Sequence, residues 1–475
     1  MNVFLTQRNL QMDRRKFIKQ TAAASSLTLL PNVSWAFDRS SERSNTNILF
    51  IMTDQQTISA MSHRDNPYLE TPNMDRLADH GTSFSQAYCS QPLCGPSRSS
   101  MLTGKYPHQV QATVNLPEKE GYWDDDVPML GRIMQEAGYE TGYVGKWHLP
   151  IPVENIDQHG FSFIRNTQRR DWQDASIPAD CGVFLKKKRD KPFFLVASFI
   201  NPHDICEWAR GGRLRMDNIA DAPAPQECPP LPDNLEIPEN EPAFLRTMKS
   251  LSPKQYPSTN WPDDKWRQYR WAYYRLVETV DAYIGRIMES LERTGQLENT
   301  TIVFTSDHGD GMGAHRWNQK QVLYQEVINV PFIISHLKNG KKRLDSTTLV
   351  NVGVDLIPTF CDYAGFTAPK ELEGVGLKSI AEGEQKKARD YIVCETEFAE
   401  NEDSFGVLGR SVYDGRYKYI AYRGKHKTEQ LFDLKQDVGE MKDLSSNIDY
   451  NYIKKALQQS LIEWQMKTKD SRFVL

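Results

Sequence analysis

The sequence lacks several features that would assign it to a specialised class of protein. Its seven cysteines form no Cys-x-x-Cys pair and no zinc-ligand spacing, and their odd number leaves at least one unpaired. It contains no internal repeat and no low-complexity stretch. The formal net charge of -4 gives no overall attraction to polyanions, so we expect no nucleic-acid partner.

What the sequence does contain is typical of a globular protein with more than one core. Hydrophobic residues make up 39% of the 475 residues and charged residues 25%, which are ordinary values for a soluble protein. A chain of this length is too long to fold around one small hydrophobic core. Its length therefore favours an organisation with one large and one small domain.

The first 36 residues indicate an export signal rather than part of the fold. Residues 13–19 resemble a twin-arginine pattern, a weakly apolar run follows at 21–30, and small residues near Ala36 suit a cleavage site. The apolar run is too short to span a bilayer, so we expect no stable membrane insertion. We therefore predict a signal peptide over 1–36, with Met1 or Met12 as the start, and a bacterial protein that is periplasmic or secreted.

The most informative stretch is residues 94–105, which reads Cys-x-Pro-Ser-Arg and continues into Thr-Gly-Lys. Pro96 suits the first turn of a helix, where a missing N–H costs nothing. Cys94 would then lie at or just before a helix N-terminus, which favours an anion. Arg98, one turn further on, offers a guanidinium suited to sulfate or phosphate.

This stretch resembles the signature of the formylglycine-dependent sulfatases, members of the alkaline phosphatase superfamily. The resemblance implies that Cys94 is oxidised to formylglycine, by a formylglycine-generating or an anaerobic sulfatase-maturating enzyme, and that its hydrate attacks sulfur. The resemblance to this family extends from about Asn47 to the C-terminal helix. Residues 431–434 and 437–444 resemble the C-terminal signature of the family.

The family also implies a fold. We expect an α/β protein with a large mixed, mainly parallel sheet flanked by helices, plus a smaller C-terminal antiparallel sheet with one helix. A catalytic α/β sulfatase domain would occupy 45–385 and a C-terminal subdomain 386–475. A hairpin over 410–422, with Asp-Gly at its turn, agrees with the smaller sheet.

Residues 47–52 form a short continuous apolar run, which predicts a buried parallel strand. Asp54 and Gln55 follow it, and ligands of open α/β sheets gather at the carboxyl ends of strands. A carboxylate and an amide oxygen suit a hard cation such as calcium. The family often has Asp-Asp here, so Gln55 removes one charge from the site.

A second strand at 301–305 ends in Asp307 and His308, which resemble the other half of the metal site. The resemblance implies one calcium ion held by these residues together with Asp54, Gln55 and the modified Cys94. A histidine is a less usual calcium ligand than an oxygen, so His308 could instead contact sulfate.

Residues 145–149 resemble the Gly-Lys-Trp-His of the family. Lys146 and His148 alternate at an extended strand end, so both side chains should point the same way. The resemblance implies that Lys146 and Arg98 bind sulfate oxygens. His148 would take a proton from the formylglycine hydrate when sulfate is released.

A third buried strand, at 191–200, leads to His203 and Asp204. Histidine titrates near neutral pH, so His203 is the candidate general acid for the leaving oxygen, with Asp204 orienting it or contacting substrate. The pattern around residues 313–326 implies that Lys320 is a second lysine on the sulfate and that His315 faces the substrate.

The substrate is predicted from basic and aromatic residues. Trp208, Arg210, Arg213 and Arg215 lie in a loop after His203, and guanidinium groups suit carboxylates and sulfates. Four further cations in the C-terminal subdomain could add to this surface: Arg410, Arg416, Lys418 and Arg423. We expect a sulfated carbohydrate, such as a glycosaminoglycan or algal polysaccharide fragment, rather than a small aryl sulfate.

Two alternatives remain open at this point. One is a phosphate or phosphonate monoester hydrolase, since such enzymes share the fold and sometimes the signature. The other is a non-catalytic relative that binds sulfated glycans. The complete set of candidate catalytic side chains argues against the second, because binding alone needs no formylglycine precursor.

Overall fold

The computed structural model describes most of the chain after the predicted export signal. It covers residues 44–475 except 125, 166–173, 213, 215–218, 252–257, 259, 386, 401 and 426. The predicted signal peptide at 1–36 and the candidate substrate residues Arg213 and Arg215 lie outside the described residues. No helix among the described residues is long and apolar enough to cross a membrane.

The strands of the described chain fall into a large sheet, a small ladder and a C-terminal sheet. They are β1 (Asn47–Asp54), β2 (Gly81–Phe84), β3 (Ala87–Tyr88), β4 (Glu140–Gly145), β5 (Phe163–Arg165), β6 (Phe193–Pro202), β7 (Thr300–Ser306), β8 (Phe332–Ser335), β9 (Arg343–Asp345), β10 (Val350–Asn351), β11 (Ile392–Glu400), β12 (Asp403–Tyr413), β13 (Tyr417–Gly424) and β14 (Thr428–Asp433).

The large sheet has eight strands in the order β5-β4-β6-β1-β7-β8-β2-β9. From β5 to β7 every neighbouring pair is parallel, and β8 is antiparallel to both β7 and β2. Residues of β1, β6 and β7 are buried throughout, as expected for strands covered on both faces. The predicted mixed, mainly parallel sheet is confirmed.

Helices cover both faces of this sheet. They are α1 (Pro72–Asp79), α2 (Cys94–Thr103), α3 (Leu130–Glu136), α4 (Ile156–His159), α5 (Ile177–Leu185), α6 (Ile205–Ala209), α7 (Ala243–Leu251), α8 (Asp263–Arg293), α9 (Gln325–Ile328), α10 (Leu356–Ala364), α11 (Lys378–Ala381) and α12 (Asn451–Thr468). Short 3-10 helices occupy Ser62–Arg64, Asp174–Ser176, Pro225–Glu227, Leu297–Asn299, Ala314–Arg316 and Ile448–Tyr450.

Two apolar cores lie on the two sides of the sheet because successive side chains of a strand point to opposite faces. Ile48 and Phe50 of β1 belong to one core, and Leu49 and Ile51 belong to the other. The 31-residue helix α8 supplies much of the second core, with buried residues at helical spacing along one side. The apolar positions from Tyr273 to Leu291, at a spacing near 3.6 residues, predict a helix that packs in the core, and the structure has that helix.

The C-terminal strands form an antiparallel sheet in the order β11-β12-β13-β14, with α12 packed on it. This confirms the predicted smaller sheet with one helix. Its other face contributes Ile420 and Tyr422 to the same core that contains Phe50 of β1. The apolar core is therefore continuous between the two sheets, and the boundary near residue 385 stays a prediction.

Candidate active site

Polar side chains follow four adjacent parallel strands. Asp54 ends β1, Lys146 follows β4, His203 follows β6 and Asp307 follows β7. Because these strands lie side by side in the order β4-β6-β1-β7, their carboxyl ends meet at one edge of the sheet. Ligands of open α/β folds bind at such an edge.

Helix α2 approaches this edge with its N-terminus. Cys94 is its first residue, and Arg98 lies one turn further on, where i and i+4 side chains share a face. The Ser97 hydroxyl donates to the carbonyl of Asp307 at 2.6 Å and so attaches the first turn to the end of β7. The helix is buried along its whole length, and Gly104 ends it with a φ of 68°.

Arg98 connects the two carboxylates of the site. Its Nε donates to Asp307 Oδ2 at 2.8 Å, and its Nη2 lies 3.3 Å from Asp54 Oδ2. Its Nη1 donates to Ser198 Oγ at 2.8 Å and to the carbonyl of Lys146 at 3.0 Å. Burial opposes the charge, but Asp307 and Asp54 raise the pKa of Arg98 above its ordinary value. In this structure Arg98 therefore positions the carboxylates, and its predicted contact with sulfate stays a prediction.

The Cys94 thiol lies in a strongly positive environment. Its Sγ is 2.8 Å from Lys320 Nζ and 3.3 Å from His308 Nε2. Burial alone would raise the thiol pKa, but Lys146, Lys320 and His308 hold the pKa of Cys94 well below its ordinary value. Such a site stabilises negative charge at position 94 and on any anion brought next to it.

Four candidate metal ligands converge beside this thiol. Ligand atoms of Asp54, Cys94, Asp307 and His308 all lie within 4.8 Å of one another, and all four residues are buried. The His308 Nδ1 lies 2.8 Å from the carbonyl of Gly309, so a neutral ring would donate there and direct its Nε2 lone pair at the cluster. These residues fit a divalent cation.

The electrostatics of the two carboxylates agree with a cation site. Burial and the Cys94 sulfur oppose ionisation of Asp54, but Lys146, His203 and Arg98 hold its pKa well below the ordinary value. Burial and the charge of Asp54 raise the pKa of Asp307. A bound cation would favour the ionised form of both groups.

Gln55 directs its side chain away from this group of ligands. Its Nε2 donates to Asp310 Oδ2 at 2.7 Å, and its Oε1 lies 3.7 Å from the Cys206 thiol. Its backbone N–H donates to Asp307 Oδ1 at 3.1 Å. A φ of 73° places its backbone in the left-handed region, where non-glycine residues are strained. Its predicted role as a metal ligand stays a prediction.

Two histidines adjoin Cys94. His148 is half-buried, and burial lowers its pKa despite the neighbouring thiol. Burial and the Lys320 and Lys146 ammonium groups lower the pKa of His203 to about 4. Asp204 is buried as well, and Asn201 Nδ2 lies 3.3 Å from its Oδ2.

His315 is placed differently from its neighbours in sequence. Its side chain is fully buried and stacks on Tyr324, with ring centroids 3.9 Å apart and planes 8° from parallel. It does not line the cavity beside Cys94. Burial and the nearby Lys249 lower its pKa to about 3. Its predicted contact with substrate stays a prediction.

A cavity of about 380 Å³ opens from Cys94 to the surface. Its lining comes from the loops around the nucleophile, from the ends of β4 and β6, from the segment around Lys320, and from the turn between β11 and β12. The lining residues are Leu93, Cys94, Asn115, Leu116, Pro117, Glu118, Lys146, His148, Leu149, His203, Arg210, Gln319, Lys320, Gln321, Ala399 and Glu402.

The predicted basic surface is only partly available to a substrate. Arg210 lines the cavity and makes an ion pair with Glu207 at 2.7 Å. Trp208 packs against Trp261 and Tyr269.

The four basic residues of the C-terminal sheet were expected to add to this surface, and each pairs with a carboxylate instead. Arg410 and Lys418 are buried in ion pairs with Asp470 and Glu440, so they cannot contact a substrate. Arg416 and Arg423 pair with Asp433 and Glu429.

Sequence reasoning missed two residues that organise the site. Asp310 accepts from the side chains of Gln55 and Tyr269 and from the backbone of Gln319, so it attaches the segment carrying Lys320 to the end of β1. Asn115 accepts from the backbone N–H of Gly95 at 2.9 Å. Asp310 lies three residues after Asp307, the predicted ligand at the end of a strand, so its position in the sequence could have indicated a role in the site. No local sequence pattern indicates such a role for Asn115.

Two family models match the chain. The model described as Sulfatase matches residues 46–366, and the model described as N-sulphoglucosamine sulphohydrolase, C-terminal, matches residues 313–467. Two curated relatives come from Bacteroides thetaiotaomicron. Its Delta 4,5-hexuronate-2-O-sulfatase is 30% identical, with 89% of each chain covered. Its N-acetylglucosamine-6-O-sulfatase is 29% identical, covering 94% of this chain and 90% of the relative.

Solved structures agree with these matches. A 2-O GAG sulfatase superposes with a TM-score of 0.78 at 29% identity, covering 90% of this chain and 93% of that one. A phosphonate monoester hydrolase from Silicibacter pomeroyi superposes with a TM-score of 0.74 at 21% identity, covering 90% of this chain and 96% of the other. At 21% identity, the similarity to the phosphonate monoester hydrolase shows only that the two proteins share a fold.

Proposed function

Since the chain belongs to the sulfatase family, we propose that its substrate is an O-sulfate group on a sulfated carbohydrate, such as a fragment of a glycosaminoglycan or of an algal polysaccharide. The enzyme is a sulfatase, which hydrolyses sulfate esters. The relatives named above act on different positions of different sugars, so the sulfate position does not transfer from them.

The observation that supports this most is the position of Cys94. It is the first residue of α2, and the ammonium of Lys320 lies 2.8 Å from its sulfur. We propose that Cys94 is converted to formylglycine by a formylglycine-generating or anaerobic sulfatase-maturating enzyme. The hydrated aldehyde would supply a hydroxyl nucleophile and a second hydroxyl whose deprotonation releases sulfate.

The cations around position 94 would bind the sulfate group. Lys320 and Lys146 both line the cavity, and each can neutralise an oxygen of the group under attack. Preorganised cations of this kind stabilise the charge that develops in the transition state. Arg98 keeps Asp54 and Asp307 in place through its hydrogen bonds at 3.3 and 2.8 Å.

The two histidines would handle protons. The lowered pKa of His148 keeps its ring neutral, as a base that accepts a proton from a hydroxyl at position 94 requires. We assign His203 as the acid that protonates the leaving sugar oxygen. Its pKa of about 4 in the unliganded site rises when a sulfate group places negative charge next to it.

We propose one calcium ion held by Asp54, Asp307 and His308 together with the modified Cys94, with Gln55 as a further candidate ligand. Calcium would polarise a sulfate oxygen and offset the buried carboxylate charge. Magnesium fits less well because it demands a tighter octahedral shell.

We further propose that the protein is exported to the periplasm or secreted. The support is the twin-arginine pattern within residues 1–36. That route carries folded proteins, which agrees with a cysteine modified on the nascent chain before folding buries it.

The test is sulfate release from a panel of defined sulfated saccharides by protein coproduced with a maturation enzyme, with Cys94→Ala as the control. We expect release from at least one saccharide by the parent protein and none by the variant. Phosphate and phosphonate monoesters are assayed in parallel. Higher catalytic efficiency on those esters than on every sulfate ester would overturn the proposal in favour of the phosphonate-hydrolase alternative. Binding without turnover would favour a non-catalytic relative.

A further inference from the structure

Among the described residues that line the cavity, the inner end carries two lysines and the mouth carries two carboxylates and one arginine. The ammonium groups of Lys146 and Lys320 lie beside Cys94 at its inner end. Two lining carboxylates, Glu118 and Glu402, are solvent-exposed and belong to the rim. A cavity built solely to attract a highly sulfated chain would carry positive charge at its mouth as well, because like charges repel.

The two rim carboxylates have no basic partner among the residues that the structure describes. Among residues 44–475 as far as they are described, no lysine, arginine or histidine forms an ion pair with Glu118 or Glu402. By contrast, Arg210 at the same rim is paired with Glu207 at 2.7 Å. The described part of the rim therefore offers a substrate two carboxylate acceptors, Glu118 and Glu402, and the Arg210 cation paired with Glu207.

Hydrogen bonds hold the Glu402 side of the rim against the catalytic segment. The Gln321 side chain donates to the carbonyl of Ala399 at 3.0 Å and accepts from its N–H at 2.9 Å. The Gln321 backbone N–H donates to the carbonyl of Pro92 at 2.9 Å. Since Gln321 follows Lys320 directly, these bonds attach Ala399, near the end of β11 and three residues before Glu402, to the segment that carries Lys320 and to the loop before Cys94.

The Glu118 side of the rim is fixed as well. Asn115 Oδ1 accepts from the N–H of Gly95, the residue after the nucleophile, at 2.9 Å. The N–H of Lys119 donates to the carbonyl of Pro150 at 2.8 Å. A carboxylate carried by an anchored backbone can discriminate between substrates, because moving that backbone away from a mismatched substrate would break these hydrogen bonds.

We propose that Glu118 and Glu402 are specificity-determining residues that accept hydrogen bonds from hydroxyl or amino groups of the sugar carrying the scissile sulfate and that disfavour a second sulfate on that sugar. This inference rests on the proposed function. A carboxylate accepts strongly from hydroxyl and ammonium donors and repels another anion. The substrate class is then a saccharide whose reacting sugar carries one sulfate and retains donor groups around it.

The test compares Glu118→Gln and Glu402→Gln with the parent enzyme on two saccharides that differ by one additional sulfate on the reacting sugar. The quantity measured is the ratio of kcat/KM for the singly sulfated substrate to that for the doubly sulfated one. We expect this ratio to exceed one for the parent and to fall about threefold to tenfold in each variant, as expected for loss of one close like-charge contact at a solvated site.

Matched controls remove the same charge nearby without changing the cavity lining. Glu120→Gln is the control for Glu118, and Glu400→Gln is the control for Glu402; both are exposed glutamates outside the lining. We expect both controls to keep the parent ratio. Equal changes in the controls would mean a general field effect and would overturn the assignment.

The failure of this inference can be separated from failure of the proposed function. If the parent releases no sulfate from any saccharide, the proposed function fails. If it does release sulfate but prefers the doubly sulfated substrate, or if neither glutamine variant changes the ratio, the rim inference alone is wrong.

Discussion

The ammonium of Lys320 lies 2.8 Å from the sulfur of Cys94, although the two residues are 226 positions apart in the sequence. Their approach depends on the segment after β7 folding back over the N-terminus of α2, where the N–H of Gln321 donates to the carbonyl of Pro92. The lysine is therefore positioned against the group that would attack sulfur before any substrate binds.

Replacing Lys320 tests the value of that contact. Lys320→Ala should lower kcat by about 100-fold to 1,000-fold, the range seen when one preorganised charge-stabilising donor is removed. The measurement is sulfate release under saturating substrate. Lys338→Ala, which removes an exposed lysine paired with Glu298, is the control and should leave kcat unchanged. A loss below threefold in Lys320→Ala would contradict a role in the transition state.

Conversion of Cys94 to formylglycine can be read directly by mass spectrometry. The peptide carrying Cys94 should be lighter than its unmodified form and should react with an aldehyde probe when the protein is coproduced with a maturation enzyme. Without that enzyme the thiol should remain and activity should be lost. Cys89 and Cys361, which are equally buried, should stay unmodified in both preparations. Full activity with an unmodified thiol at position 94 would contradict the prediction.

How much the sequence predicted depends on how each element is stabilised. Strands β1, β6 and β7 are continuous apolar runs buried on both faces, so their amino-acid sequence alone predicts them. Strand β9 (Arg343–Asp345) is three residues long and mostly exposed, including Leu344, and it forms because it pairs with the edge of β2. No local pattern predicts such an edge strand.

The same distinction holds for the site. Asp54 and Asp307 were predictable as strand-end carboxylates, and Cys94 as the start of a helix. The burial of His315 was not predictable, because it depends on a turn with a φ of 53° at that residue and on a stacking partner nine residues away. Glu118 and Glu402 line the same cavity because of tertiary contacts, which no pattern in the local sequence around either residue predicts.

Removal of calcium should reduce both activity and stability. A chelator should lower activity, and added calcium should restore it more fully than magnesium. Because a ligand that binds the folded state stabilises it by mass action, calcium should also raise the Tm. Asp307→Asn should weaken both effects, while Asp190→Asn, at an exposed position, should not. Active protein that contains no divalent ion by elemental analysis would contradict the site.

His315 should make the folded state sensitive to acid. Its pKa is about 3 in the folded protein, against an ordinary value of 6.5, because burial and Lys249 disfavour its charge. Between these two values the unfolded chain binds the extra proton, so stability falls as the pH drops below 6.5. The slope is about 1.4 kcal/mol per pH unit while only the unfolded form is protonated.

The variant His315→Phe keeps a ring that can stack on Tyr324 but cannot take up a proton. Between about pH 7.5 and about pH 5.5, the free energy of unfolding should therefore fall by about 1.4 kcal/mol less in the variant than in the parent. Chemical unfolding at both pH values measures this difference. Identical pH dependence in parent and variant would mean that His315 is protonated equally in both states.

The last prediction concerns Arg210, the cation at the rim of the cavity. A small aryl sulfate would occupy the inner end, near Lys146 and Lys320, whereas a saccharide would extend past Arg210. Guanidinium groups hold carboxylates and hydroxyls of sugars through paired donors. Arg210→Ala should therefore lower kcat/KM for a saccharide by about fivefold to 50-fold and leave that for a chromogenic aryl sulfate within twofold, consistent with about 1–2 kcal/mol for one charge-assisted contact.

A matched control exists for this change. Arg76 pairs with Glu292 at 2.7 Å, and its side chain is 42% exposed, close to the 37% of Arg210 in its pair with Glu207 at 2.7 Å. Arg76→Ala thus removes an equivalent surface ion pair outside the cavity lining and should affect neither substrate. If Arg210→Ala reduces turnover of both substrates equally, its role is to support the fold of α6 beside His203, and the cavity mouth does not bind the sugar through this residue.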